Sequence, residues 1–189
     1  MYEEFYGFKE RPFALVPDPS FLYLSKGHGT ALTLLLYSIM NRQGFTVVSG
    51  EVGSGKTTLV NRLLDELKTG VTVGLINFTT RTFGDMAEWI MMAYGLPYKN
   101  KGKVELYEDF VQFMIREYAA GRPVVLIVDE AQNLGIRGQE EIRMLSNVNA
   151  QKEYLLHVIL VGQPELRALL QTPQLRQLTQ RVSVAFHLK

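Results

Sequence analysis

Apolar and polar positions follow two rhythms that take turns along this chain from about residue 29 to its end. Residues 29–41 carry Ala31, Leu34, Leu35 and Ile39 at helical spacing, which gives a helix one apolar face. A β-branched run, Phe45-Thr46-Val47-Val48-Ser49, then leads directly into glycines. Residues 56–68 place Leu59, Leu63, Leu64 and Leu67 on the inner side of a second helix, and residues 71–78 read as a strand. A helix over 83–94 stops at Gly95 and Pro97, and one over 104–120 stops at Gly121 and Pro123. Residues 123–129 are almost purely apolar, as a strand buried on both faces must be. A helix over 138–147 and a strand over 155–161 follow. Two short helices over 164–170 and 173–180, each opened by a proline, precede a last strand over 182–188.

Five strands joined by helical crossovers predict an α/β fold, a five-stranded parallel doubly wound sheet flanked by helices. Ligands of such sheets sit at the C-terminal ends of the strands. The chain shows no internal repeat and no linker, so a single domain over 1–189 is expected. Its opening stretch, 1–28, is different in kind. Phe5, Tyr6, Phe8, Phe13, Phe21 and Tyr23 alternate there with Pro12, Pro17 and Pro19. The prolines forbid a continuous helix, and the aromatics predict a segment that packs on the core.

The glycines after the first strand belong to Gly50-Glu51-Val52-Gly53-Ser54-Gly55-Lys56-Thr57, a full match to G-x-x-x-x-G-K-[ST] between a strand and a helix. Glycines let the backbone wrap and turn its N–H groups toward phosphate oxygens. The N-terminus of the following helix adds unpaired N–H groups and a positive dipole end. In this pattern Lys56 supplies charge to the β and γ phosphates, and the Thr57 hydroxyl ligates magnesium. Residues 50–58, ending at Thr58, are therefore the candidate nucleotide-binding segment, with a nucleoside triphosphate and Mg2+ as the expected ligands.

The apolar strand 124–128 ends in Asp129-Glu130. Asp129 is suited to orient magnesium, and Glu130 to polarise an attacking water. On the next strand Gln163 follows Leu160-Val161-Gly162. It is placed either to sense the γ-phosphate or simply to sit in a turn made by Gly162 and Pro164. Arg176 and Arg181 precede the last strand, where an arginine can stabilise transition-state charge at a neighbour's site or merely coat a solvated helix face.

Composition narrows the picture only at its margins. There is no cysteine, which excludes disulfides and thiolate chemistry. A formal charge of +1 gives no global pull toward nucleic acid and leaves a local patch open. The apolar stretch over 31–40 is too short to span a bilayer, and the N-terminus lacks the layout of a secretory signal. A cytoplasmic location is the default expectation. His157 and His187 have no carboxylate cluster beside them in sequence, so a metal role for either is unsupported.

Together, the phosphate loop, Asp129-Glu130, the strand-end Gln163 and the late arginines resemble an AAA+ ATPase core, a P-loop NTPase. A narrower resemblance, to the general secretion pathway protein A family, is carried by three stretches. They are Phe5-Tyr6-Gly7-Phe8-Lys9-Glu10-Arg11-Pro12-Phe13 with Pro17-Asp18-Pro19, then Asp129-Glu130-Ala131-Gln132-Asn133-Leu134, and finally Val161-Gly162-Gln163-Pro164-Glu165-Leu166 with the segment 175–181. The resemblance implies an ATPase that self-associates as a ring or filament and drives assembly of a secretion or pilus machine of the cell envelope. It implies that Gln163 is a nucleotide sensor, that Arg181 or Arg176 acts on the neighbouring subunit, and that His28 lies near the adenine. Two other roles stay open at this point, a DNA-targeting transposition regulator and a nucleotide-gated interaction module. The family's core normally continues into a small helical lid. The sequence stops at Lys189 after the last core strand, so a core without the lid is expected.

Overall fold

The computed structural model describes residues 5–7, 25–67, 69–77, 85–150 and 153–189. The expected packing of the segment 1–28 falls largely outside the described residues. Within it, Phe5 and Tyr6 are exposed.

Helix α1 spans Lys26–Met40 and starts three residues before the expected start at 29, because the Ser25 hydroxyl caps it by accepting from the His28 N–H. Strand β1 (Phe45–Gly50) runs through the phosphate motif's first glycine into helix α2 (Lys56–Glu66). Strand β2 (Thr72–Asn77), helix α3 (Met86–Ala93) and helix α4 (Lys103–Ala119) follow. Strand β3 (Val124–Asp129) gives way to a 3-10 turn, Ala131–Leu134, and then helix α5 (Gly135–Leu145). Helix α5 opens at Gly135, three residues before the expected start at 138, and ends at Leu145, two before the expected end. A two-stranded hairpin of β4 (Asn149–Ala150) and β5 (Glu153–Tyr154) was not foreseen, since two-residue strands leave no periodicity. Strand β6 (Leu156–Gly162) leads into helix α6 (Pro164–Leu170). The expected helix over 173–180 is a 3-10 turn, Pro173–Leu175, continuing as α7 (Arg176–Thr179) before β7 (Val182–Leu188).

The main sheet has the order β2-β3-β6-β1-β7, and every pairing in it is parallel. Val124, Leu126 and Val128 of β3 face one core cluster while Val125 and Ile127 face the other. That division is why the strand shows no alternation: both faces are covered. Buried residues of α1 and α2 form the cluster on one face, and those of α3 to α7 form the cluster on the other. The five-stranded doubly wound sheet is as expected. Register matters more for function. Ser49 pairs with Gly162, Gly50 with Leu188 and Asn77 with Asp129, so the strand ends come level along one edge. Neighbours β1 and β6 leave that edge for opposite ends of the sheet, which opens a crevice there.

His157 is buried under α1, its Nδ1 against the Gln43 carbonyl and its Nε2 3.3 Å from Ser38 Oγ. Burial holds its pKa down at about 4, partly opposed by the Gln43 hydrogen bond. The folded protein thus resists a proton that the unfolded chain accepts near pH 6.5. Stability should be undiminished above that pH and should fall as pH drops from about 6.5 toward about 4, by up to about 3 kcal/mol. Urea midpoints across this window should fall more steeply for the wild type than for His157→Asn, which keeps a donor but does not titrate. Parallel slopes would exclude His157 as the cause.

Candidate functional site

The phosphate motif is built by local backbone geometry. Gly53 (φ 80°) and Gly55 (φ 81°) occupy the left-handed region, and a Cβ on Gly50 would lie 2.6 Å from Ser54 Oγ. Gly55 serves as the N-cap of α2 without any side-chain cap, and the first turn of α2 holds no acid. Its N–H groups are thereby left for an anion. Lys56 is buried, at 7% exposure, and its Nζ donates to the Gly50 and Glu51 carbonyls at 2.8 Å each. Neither acceptor neutralises the charge. A buried cation held only by neutral oxygens is a ready counterpart for a polyphosphate.

Strand β3 delivers Asp129 to the same place. Its Oδ2 accepts from Thr57 Oγ1 at 3.2 Å and its Oδ1 from the Glu130 N–H at 2.9 Å. At 5% exposure, burial pushes the Asp129 carboxyl above the usual range. The Glu130 N–H works against this shift, the Glu130 charge adds to it, and the Thr57 hydroxyl and Lys56 oppose it. A carboxylate beside a hydroxyl is a hard-oxygen pair that fits magnesium, which takes few protein ligands and completes its shell with water and phosphate.

Glu130 adopts φ 52°, a left-handed conformation rare outside glycine. Its Oε2 accepts from Gln132 Nε2 at 2.6 Å and from Gln163 Nε2 at 3.1 Å. The Gln163 backbone N–H in turn donates to Gln132 Oε1 at 3.1 Å, closing a ring of three residues. Gly162 makes room for it: a Cβ there would lie 2.5 Å from Gln132 Oε1. Gln132 is the member that sequence reasoning left without a role. Its one signal was a second amide beside the strand-end carboxylates.

Beside these groups lies a cavity of about 260 Å³, which neither Asp129 nor Gln132 lines. Val52, Gly53 and the run Gly55-Lys56-Thr57-Thr58 form one wall, with Glu130 and Gln163 opposite. Gly50 and Glu51 contribute carbonyls to Lys56 rather than wall surface. Ser54 turns its carbonyl to His28 Nε2 at 2.9 Å, and neither residue lines the cavity. The two arginines do not line it either. Arg181 donates to the Arg143 carbonyl of α5 at 3.4 Å and to Asn147 Oδ1, just past that helix, at 2.9 Å, while Arg176 is exposed on a separate depression beside Gln171 and Pro173.

A glycine-wrapped loop opening a helix, with a buried lysine and a strand-end acid facing it, defines a P-loop nucleotide site. The sequence profile of the AAA domain family matches residues 39–170, and the chain belongs to that family. Over all 189 residues it is 39% identical to General secretion pathway protein A of Aeromonas hydrophila, as the resemblance in its motifs implied. The chain spans 35% of that protein's length. Among solved structures, the ORC2 protein of Aeropyrum pernix in its ADPNP-ADP complexes matches with TM-score 0.67 and 16% identity, over 95% of this chain and 51% of that one. CDC6P of Pyrobaculum aerophilum matches with TM-score 0.62 and 21% identity, over 93% and 50%. These two likenesses are of fold. No helix among the described residues is long and apolar enough to cross a membrane.

Proposed function

We propose that this chain is an ATP-binding and ATP-hydrolysing module whose cycle drives or regulates assembly of a cell-envelope machine, of the secretion or pilus class. The observation that carries the reading is the convergence of Lys56, Thr57, Glu130 and Gln163 on one cavity, with Asp129 accepting from the Thr57 hydroxyl. Kinship with a secretion-pathway protein supplies the class of partner.

Each side chain then has a separate task. Lys56 and the first turn of α2 bind and orient the β and γ phosphates. Thr57 and Asp129 would hold magnesium, which when bound neutralises charge shared by those phosphates. Glu130 accepts hydrogen bonds now and, with ATP present, orients the attacking water and takes its proton. Gln163, bonded to Glu130, reports on the γ-phosphate from the end of β6. Arg176 or Arg181 serves a neighbouring subunit, since neither lines its own cavity. The module works on the cytoplasmic side, where ATP is supplied.

Phosphate release measured against protein concentration tests this. Turnover per chain is expected to rise with concentration, because a neighbour completes the site. Flat turnover would remove the arginines from catalysis. ATP binding with no hydrolysis at any concentration would leave a nucleotide-gated interaction module in place of a motor.

A further inference from the structure

His28 lies on the first turn of α1, 26 residues before the loop residue it touches. Its Nε2 is 2.9 Å from the Ser54 carbonyl oxygen. That oxygen only accepts, so Nε2 carries the proton and donates. Nδ1 lies 2.7 Å from Ser25 Oγ, the hydroxyl that also caps α1. The ring is pinned at both nitrogens, and its proton is directed at the loop.

Two features give this contact a consequence. No peptide among the described residues is cis, so the Ser54 carbonyl and the Gly55 N–H point to opposite sides of their shared peptide. With the carbonyl held by His28, the Gly55 N–H points away from it. Gly55 lines the cavity, whereas His28 and Ser54 do not. A hydrogen bond accepted by a peptide's carbonyl also polarises its N–H and makes it a better donor. The second feature is steric: a Cβ on Gly55 would lie 2.7 Å from His28 Nε2. The histidine is seated on the bare Cα of the motif's last glycine.

We propose that His28 is a positioning residue for phosphate binding, clamping the peptide between Ser54 and Gly55 from outside the cavity so that the loop is set for a polyphosphate. The role is distinct from a contact with the adenine, and it rests on the reading of this loop as a phosphate site.

The test uses the whole chain and two probes, ATP and inorganic tripolyphosphate, titrated calorimetrically with magnesium. His28→Ala should weaken both by the same factor, about tenfold, the usual scale for losing one hydrogen bond at a binding site. In steady-state hydrolysis the variant should raise KM by that factor and leave kcat at saturation nearly unchanged. His28→Gln, whose amide can donate to the same carbonyl, should restore most of the affinity for both probes. Weakened ATP binding with unchanged tripolyphosphate binding would overturn the proposal in favour of a base contact. Unchanged binding of both probes, or a His28→Gln variant as weak as His28→Ala, would also overturn it. Should His28→Ala fail to fold, the His28→Gln titration decides alone. Wild-type protein that binds neither probe would overturn the phosphate-site reading itself, and the clamp with it.

Discussion

Substituting glutamine for Glu130 lowers kcat for ATP hydrolysis by about 10² to 10⁴ and leaves ATP binding intact. The substitution keeps size and shape, and the new amide oxygen can still accept from Gln132 and Gln163, which now both donate to Glu130 Oε2. The left-handed turn at Glu130, φ 52°, is no harder for glutamine than for glutamate. What disappears is the group able to take a proton from water. Asp129, Thr57 and Lys56 are untouched, so nucleotide should be bound and trapped. Rapid-quench phosphate release, paired with retention of labelled ATP on a filter, separates the two effects. A hydrolysis rate equal to that of the wild type would take the water-activating role away from Glu130.

Replacing Lys56 with alanine weakens ATP binding by about a hundredfold or more, the scale for truncating one partner of a buried charged contact. The nucleotide-free protein should behave differently. There the ammonium is buried among neutral carbonyls, and its hydrogen bonds to Gly50 and Glu51 offset only part of its desolvation. Its removal is therefore expected to leave the Tm without ATP close to that of the wild type, while the rise in Tm on adding magnesium and ATP is lost. Calorimetric melts with and without nucleotide check both halves. Full stabilisation of Lys56→Ala by ATP would place the phosphates elsewhere.

The parts of this site written locally in the chain were legible from it. The phosphate loop is one continuous octapeptide, and Asp129-Glu130 ends an apolar run whose burial on both faces is visible in its composition. The partnerships across the sheet edge were not legible. Gln132 and Gln163 meet because β3 and β6 are adjacent, a fact of strand order that spacing along the chain does not encode. For the same reason His28 could be placed near the site but not against the Ser54 carbonyl. Helix limits shifted where capping outweighed the apolar stripe, at Ser25, or where a glycine opens the helix, at Gly135.

The strand order also bears on how the molecule is made. β1 lies between β6 and β7, so Phe45 finds its partners only at Val158 and Val182. During synthesis β1, buried along its length in the finished fold, therefore emerges early and waits for most of the chain before either neighbour exists. Helices α1 and α2, which pack against it, are made before either strand. The loop's glycines and Lys56 acquire their geometry late, when β6 and then β7 close the centre of the sheet. A nascent chain halted before residue 156 holds the complete phosphate motif in writing and has neither strand neighbour of β1 to shape it.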